Sequence, residues 1–271
     1  MHPIGEKYLR KSALPTLFCP GCGHGTVLNA FLRAVDRMGI FERLGLVSGI
    51  GCSSWVPVFV DTDVIHALHG RALAVATGLK IANPGRTVVV FSGDGDCMGI
   101  GGNHLIHAAR RNIDLTVLML DNGIYGMTGG QVAPTTPTDA KTQTTPYGNP
   151  EPSFDACGLA AAAGATHVAR YTVARPRALI QGIEAAIRHE GFSFVHVISQ
   201  CPTQAGRYIY NLTRPAEHLR LIQERSIGAR AAAKLTPEER EAKIVTGVLH
   251  ESTGRPEFIR QLARVKEAAK A

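Results

Sequence analysis

The sequence predicts an α/β fold: a doubly wound, mainly parallel sheet with a helical C-terminal extension. Two observations predict it. Short β-branched or apolar runs alternate with helix-length stretches from about residue 46 to residue 199. Two of these runs, 87–91 and 116–120, end in small and acidic residues, Gly93-Asp94-Gly95-Asp96 and Asp121-Asn122-Gly123. Between them residues 102–111 read as a crossover helix, with Leu105, Ile106, Ala108 and Ala109 as its apolar positions. A βαβ unit of this kind puts both tips at the carboxyl edge of one parallel sheet. The alternation beyond it extends the sheet and covers both faces.

Taken in order, residues 1–18 form an arm and residues 19–205 the main domain. Cys19-Pro20-Gly21-Cys22-Gly23-His24-Gly25 is a loop. A helix follows from Thr26, a plausible N-cap, with Leu28, Phe31, Leu32, Val35 and Met38 on one face, ending at Gly39. Residues 46–48 make a short strand whose tip is Gly49-Ile50-Gly51-Cys52-Ser53. His69-Gly70-Arg71 opens a helix over 72–82, closed by Asn83-Pro84-Gly85. Residues 128–152, rich in Thr, Pro, Gly and Gln, are too long for an ordinary connection and read as an ordered loop folding over a site or a partner. A small-residue helix (154–163), a strand (166–171), a helix (176–189) and a buried strand (192–199) complete the alternation. From residue 206 the character changes. Residues 214–234 and 256–270 read as charged amphipathic helices, and 206–271 hold 13 Lys and Arg against 8 Asp and Glu. That tail reads as a surface for docking on another subunit. No internal repeat is visible.

At 271 residues and 45% hydrophobic composition the chain can bury a full core. No apolar run is long enough for a membrane span and the N-terminus lacks a signal-peptide core, so a cytoplasmic protein is expected. The net charge of +7 invites a nucleic-acid reading. Against it, the basic residues are scattered and only 6% of residues are aromatic. An acidic protein partner fits as well.

Chemistry enters at the tips. The glycines let backbone approach a ligand closely, and a carboxylate beside an amide oxygen suits a hard cation such as Mg2+, which in turn suits a diphosphate. Six cysteines in a chain of cytosolic character argue for metal or redox use rather than disulfides. Cys19 and Cys22 form a Cys-x2-Cys pair, Cys52 sits at a strand tip, and Cys201 follows the last strand. On a doubly wound sheet they could converge on a [4Fe-4S] cluster or a structural zinc. Spacing alone slightly favours zinc, whereas the resemblance of the Gly93-Asp94-Gly95 and Asp121-Asn122 tips to a thiamine diphosphate motif gives a redox cluster beside them a role that zinc lacks. Cys97 and Cys157 are expected to be small buried residues. His66/His69 and His104/His107, each spaced i, i+3, could share a helical face, but positioning hydrogen bonds suit them better than zinc.

Gly93-Asp94-Gly95, with Asp121-Asn122 beginning twenty-six positions after Gly95, resembles the thiamine diphosphate motif, with Asp121 where the first of two asparagines usually stands. The wider set is similar to the β subunit of 2-oxoacid:ferredoxin oxidoreductases, most of all the 2-oxoglutarate type, across residues 10–205. It comprises Cys19-Pro20-Gly21-Cys22-Gly23-His24-Gly25, Gly49-Ile50-Gly51-Cys52-Ser53, His69-Gly70-Arg71-Ala72, Gly93-Asp94-Gly95-Asp96, Gly101-Gly102-Asn103-His104, residues 124–131 and Gln200-Cys201-Pro202. The resemblance implies thiamine diphosphate, Mg2+ and one [4Fe-4S] cluster. It implies Asp94, Asn122 and the Ile124 carbonyl as Mg2+ ligands, and Gly93, Gly95, Asp96, Gly126 and Met127 around the diphosphate. It implies Ile50, Gly51 and Ser53 against the cofactor, and Cys19, Cys22, Cys52 and Cys201 on the cluster. His69 and Arg71 are candidates for cofactor or substrate contacts. The implied reaction is oxidative decarboxylation of a 2-oxoacid to acyl-CoA and CO2, with electrons passing to ferredoxin or an equivalent acceptor. Glu42 is the only glutamate in residues 19–131, so the carboxylate that activates the cofactor is expected from the α subunit of an αβ hetero-oligomer. Some relatives carry lysines that would pair with a distal carboxylate, at positions where this chain has Trp55 and Gly129. Arg71 could supply the charge instead, or Trp55 could floor an apolar or aryl pocket. The rival readings are a non-redox decarboxylase with structural zinc, a zinc-containing nucleic-acid module, and an assembly subunit without catalysis.

Overall fold

The computed structural model describes residues 2–270. In chain order the elements are α1 (Pro3–Tyr8), α2 (His24–Met38), β1 (Leu44–Ser48), α3 (Trp55–Val58), β2 (Val64–His66), α4 (Ala72–Ala82), β3 (Thr87–Gly93), α5 (Gly102–Arg111), β4 (Thr116–Asp121), β5 (Ile124–Tyr125) and β6 (Gln131–Val132). There follow α6 (Ala156–Ala163), β7 (His167–Thr172), α7 (Pro176–Arg188), β8 (Ser193–Ile198), α8 (Ala205–Tyr208), α9 (Pro215–Arg225), β9 (Ser226–Gly228), α10 (Ala229–Ala232), α11 (Pro237–Glu241), β10 (Ile244–Glu251) and α12 (Phe258–Ala268). The main sheet runs β2-β1-β3-β4-β8-β7-β10-β9. All neighbours are parallel except β7 and β10.

Alternation along the central strands separates two cores. Val89 and Phe91 of β3 and Leu118 and Leu120 of β4 pack with α2 and α7. Val88, Val90, Val117 and Met119 pack with α4, α5 and α6. Both faces are covered, as continuous apolar strands require. Register places the carboxyl ends together: Ser48 pairs with Phe91, Gly93 with Leu120, and Asp121 with Ile198. The segments after β1, β3, β4 and β8 therefore leave one edge of the sheet.

The helices α4 and α5 have the bounds expected from sequence, although Ile106 is exposed. Gly39 closes α2 in the left-handed conformation, but Gly23 rather than Thr26 caps its start. Two larger differences concern the ends. The arm carries α1, whose Tyr8 is buried against α2 and hydrogen-bonds Asp36 at 2.6 Å. The C-terminal segment is not purely helical. Its β10 pairs antiparallel with β7, and Leu249, Phe258 and Ile259 pack on the second core. The tail thus completes the sheet instead of standing outside a finished domain, and its charge-rich composition masked the run Ile244-Val245-Thr246-Gly247-Val248-Leu249. Among the described residues no helix is long and apolar enough to cross a membrane.

Candidate active site

Beyond Gly93 the chain leaves the sheet and winds into a π-helical turn, Gly95–Ile100, so that Asp94 and Asp96 are carried inward at the strand tip. A cavity of about 120 Å³ opens there. From the tips of β1 and β3 it is lined by Ile50, Gly51, Cys52, Ser53, Gly93, Asp94, Gly95 and Asp96. His69 joins from the loop before α4, and Asn122, Ile124, Gly126 and Met127 from the segment after β4. The two apolar side chains Ile50 and Met127 are exposed at its mouth.

Asp96 is buried and its carboxylate is fully engaged by the protein. One oxygen accepts from Gly70 N at 2.7 Å, Ile50 N at 3.2 Å and His69 Nδ1 at 2.5 Å, and the other from Ser92 Oγ at 2.5 Å. It therefore ties the β1 tip and the 68–71 loop to β3. A Cβ on Gly49 would lie 1.9 Å from Asp96 Oδ2, so glycine is required for this approach. Asp96 lines the cavity and acts there as the latch that orients Ile50 and His69.

Asp94 is buried, and burial together with the neighbouring Asp121 carboxylate pushes its pKa up to about 8. Thr135 Oγ1 lies 2.6 Å from Asp94 Oδ2 and 2.9 Å from Asp121 Oδ1. A hydroxyl has one hydrogen, so it can satisfy one of these carboxylates at a time. The other Asp121 oxygen lies 2.7 Å from His196 Nε2. Arg170 Nε donates to His196 Nδ1 at 3.1 Å, which leaves the ring hydrogen on Nε2 to be donated to Asp121. Asn122 Oδ1 accepts from Ile124 N at 3.1 Å and keeps a second lone pair. The 128–152 segment is ordered and does fold over the site, through Thr135 and through Asn149, whose amide donates to the Thr136 carbonyl at 3.1 Å.

A second cavity, about 320 Å³, is lined by Cys19, Cys22, Cys52 and Cys201. It shares His24, Cys52, Asn122, Gly126 and Met127 with the first, so the two have a common wall. A Cβ on Gly126 would stand 3.5 Å from Cys201 Sγ, 3.8 Å from Asn122 Nδ2 and 4.0 Å from Cys52 Sγ. Burial, reinforced by the neighbouring sulfurs, pushes the Cys22 thiol up to about 12 and the Cys52 thiol up to about 11. Among the described residues only His167, His189 and Glu251 bring three such ligand atoms within 4.8 Å of one another, so no three of these sulfurs are that close. Cys97 and Cys157 are buried in the second core, as expected.

The family described as thiamine pyrophosphate enzyme, C-terminal TPP binding domain, matches residues 49–197. The 2-oxoglutarate synthase subunit KorB of Methanocaldococcus jannaschii is 50% identical over 273 residues, covering all of both chains. That of Archaeoglobus fulgidus is 52% identical over 80% of this chain and 79% of its own. The chain belongs to the β subunits of the 2-oxoacid:ferredoxin oxidoreductases. It also superposes with a TM-score of 0.88 on 2-oxoglutarate:ferredoxin oxidoreductase from Magnetococcus marinus, solved with 2-oxoglutarate, coenzyme A and succinyl-CoA bound. The identity is 37%, over 98% of this chain and 91% of that one.

Within this β-subunit framework Arg71 lies outside the lining of the tip cavity, and its guanidinium donates to the Ile100 carbonyl at 3.3 Å. Trp55 lines the cysteine cavity and stacks on Phe59. His66 lies on β2 and His69 in the following loop, so that pair shares no helical face, whereas His104 and His107 both lie on α5. Tyr125, Thr135 and His196 were not legible as site residues. Tyr125 hydroxyl donates to the Gly95 carbonyl at 3.0 Å, with the ring against Gly95 where a Cβ would clash. The only sequence signal for it was its place in the segment after Asn122.

Proposed function

We propose that this β subunit, with an α subunit, performs CoA-dependent oxidative decarboxylation of 2-oxoglutarate to an acyl-CoA and CO2, passing electrons through a [4Fe-4S] cluster to ferredoxin or an equivalent acceptor. The observation that carries the reading is the common wall between the tip cavity and the four-cysteine cavity. Thiamine diphosphate, when bound, supplies a carbon nucleophile and an electron sink at the 2-oxo carbon. The chain's residues hold it. Asp94, the Asn122 side chain and the Ile124 carbonyl are the oxygen donors for Mg2+, and the surplus of buried negative charge over available hydroxyl hydrogens at Asp94 and Asp121 fits a cation there. Gly93, Gly95, Gly126 and Met127 cradle the diphosphate, while Gly51 and Ser53 at the β1 tip, with the latched Ile50 and His69, orient the rings.

Cys19, Cys22, Cys52 and Cys201 hold the cluster. A tetrahedral zinc with Zn–S near 2.3 Å needs sulfurs roughly 3.8 Å apart. No three of these sulfurs lie within 4.8 Å of one another, which supports a larger inorganic group over a single ion. Free thiols and such a cluster fit a reducing cytoplasm.

The site is half of one. A cavity of about 120 Å³ is well below the roughly 300 Å³ at which small-molecule sites begin. The carboxylates lining it are Asp94 and Asp96, both engaged, which leaves none to face an aminopyrimidine. The α subunit supplies that glutamate and covers the exposed Ile50 and Met127. The helical parts of the basic tail, α9 to α12, are assigned to docking between subunits. The choice of 2-oxoglutarate rests on the relatives named above.

The test is anaerobic co-purification with the α subunit, followed by analysis of iron, sulfide and thiamine diphosphate and an assay of viologen or ferredoxin reduction. CoA-dependent reduction with 2-oxoglutarate, exceeding that with branched-chain or aryl 2-oxoacids, is expected. Turnover by the isolated chain, or zinc in place of iron, would refute the reading.

A further inference from the structure

Far from the strand tips, His167, His189 and Glu251 bring their ligand atoms within 4.8 Å of one another. His167 opens β7, His189 caps the C-terminal end of α7, and Glu251 ends β10. The antiparallel register sets Glu251 opposite His167, and the two imidazole rings lie 5.3 Å apart. His167 Nδ1 stands 3.7 Å from a Glu251 oxygen, too far for a hydrogen bond.

Two features point to a ligand between them. His167 is 3% exposed, yet neither ring nitrogen has a hydrogen-bond partner. Buried polar atoms are almost always satisfied, and a ring with two orphan nitrogens calls for an acceptor or an ion. The other feature is the tautomer of His189. Asn112 Nδ2 donates to the Arg255 and Pro256 carbonyls, so Asn112 Oδ1 is the acceptor facing Thr166. Thr166 spends its hydroxyl hydrogen on that oxygen at 2.7 Å, and its Oγ1 can then only accept from His189 Nε2, also at 2.7 Å. His189 is left with a lone pair on Nδ1 and its other nitrogen held by a buttressed hydrogen bond, the arrangement found around metal-ligating histidines. The carboxyl end of α7 adds the favourable end of the helix dipole for a cation.

We propose that His167, His189 and Glu251 form a second metal site, for a divalent ion of the zinc class, which fastens the C-terminal strand to the sheet. Two imidazoles and one carboxylate suit Zn2+, Co2+ or Ni2+ and not Mg2+ or Ca2+, which prefer oxygen. Glu251 is on the solvent side, so an ion can enter and water can complete its coordination. The ion joins the consecutive elements β7 and α7 to β10, which lies more than fifty residues further along the chain. It takes no part in turnover.

The experiment uses the anaerobic αβ complex with its cofactors in place, dialysed against EDTA and then exposed to ZnSO4. After gel filtration the wild-type complex should retain about one more Zn2+ per β chain than the Glu251→Gln complex, and its unfolding temperature alone should rise with zinc. Glu251 is exposed, so this variant tests the ligand without disturbing the core; His189→Ala should behave likewise, and His250→Ala, on the same strand, should bind zinc as wild type does. An anomalous peak at the zinc edge should lie among the three side chains, with turnover unchanged. Equal zinc retention by wild type and Glu251→Gln, or no retention by either, would overturn the proposal.

Discussion

His196 Nε2 lies 2.7 Å from Asp121 Oδ2, and both side chains are buried between β4 and β8. The pair explains how this chain tolerates aspartate where the cofactor motif usually has asparagine: the added charge has a dedicated donor. His196→Ala removes that donor and leaves a buried carboxylate with less compensation. The expected cost is about 3 kcal/mol, read as a fall of several degrees in the unfolding temperature of the complex. Asp121→Asn in the same background should recover most of it, because it removes the unpaired charge.

Asp96 collects four donors on one carboxylate. Asp96→Asn replaces one acceptor oxygen by an NH2 group that faces donors, so the Ile50 and His69 segments lose their latch. Thiamine diphosphate affinity should fall by at least about tenfold, the equivalent of one lost hydrogen bond of about 1.4 kcal/mol. Calorimetric titration of the cofactor into the complex measures it. Unchanged affinity would show that the latch is not needed.

Cys201→Ser alters the cysteine cavity and leaves the side chains of Asp94 and Asn122 in place. The variant complex should lose most of its iron and sulfide and its visible absorbance, reduce no acceptor, and still bind thiamine diphosphate and Mg2+. Simultaneous loss of the vitamin cofactor would mean that the two cavities are not separable.

His218 is buried against Tyr210, and burial lowers its pKa to about 4. An unfolded histidine titrates near 6.5. The folded value is the lower one, so the unfolded chain binds the proton more readily and acid destabilises the fold. This contribution to stability is complete above about pH 6.5 and is lost as pH falls toward 4, to a limit of about 3 kcal/mol. His218→Phe keeps the ring contact and removes the titration. Unfolding temperatures of wild type and variant, compared from pH 7.5 to pH 5, should diverge only below pH 6.5.

Much of the architecture could be read in advance because it is local. The 3.6-residue spacing of Leu105, Ala108 and Ala109 and the flanking glycine define α5, and the β-branched run before Gly93 defines β3. The Cys52 and Cys201 loops were legible as strand tips, and parallel register then brings them to one edge. What could not be read depends on distant partners. Thr135 reaches Asp94 across forty-one residues, Asp96 finds its donors on two other loops, and Arg71 turns to a neighbouring carbonyl. The strand β10 was hidden by the charges around it, since only the open edge of β7 makes Ile244–Glu251 a strand.

The antiparallel seam between β7 and β10 also sets a timetable for biosynthesis. Translation releases the residues that surround the cofactor well before Glu251 leaves the ribosome, so the nascent chain carries an unfinished β7 border during the last stage of its production. A premature stop codon just after Cys201 would make that temporary state permanent, leaving a polypeptide with every tip residue present and a bare border able to recruit strands from other molecules.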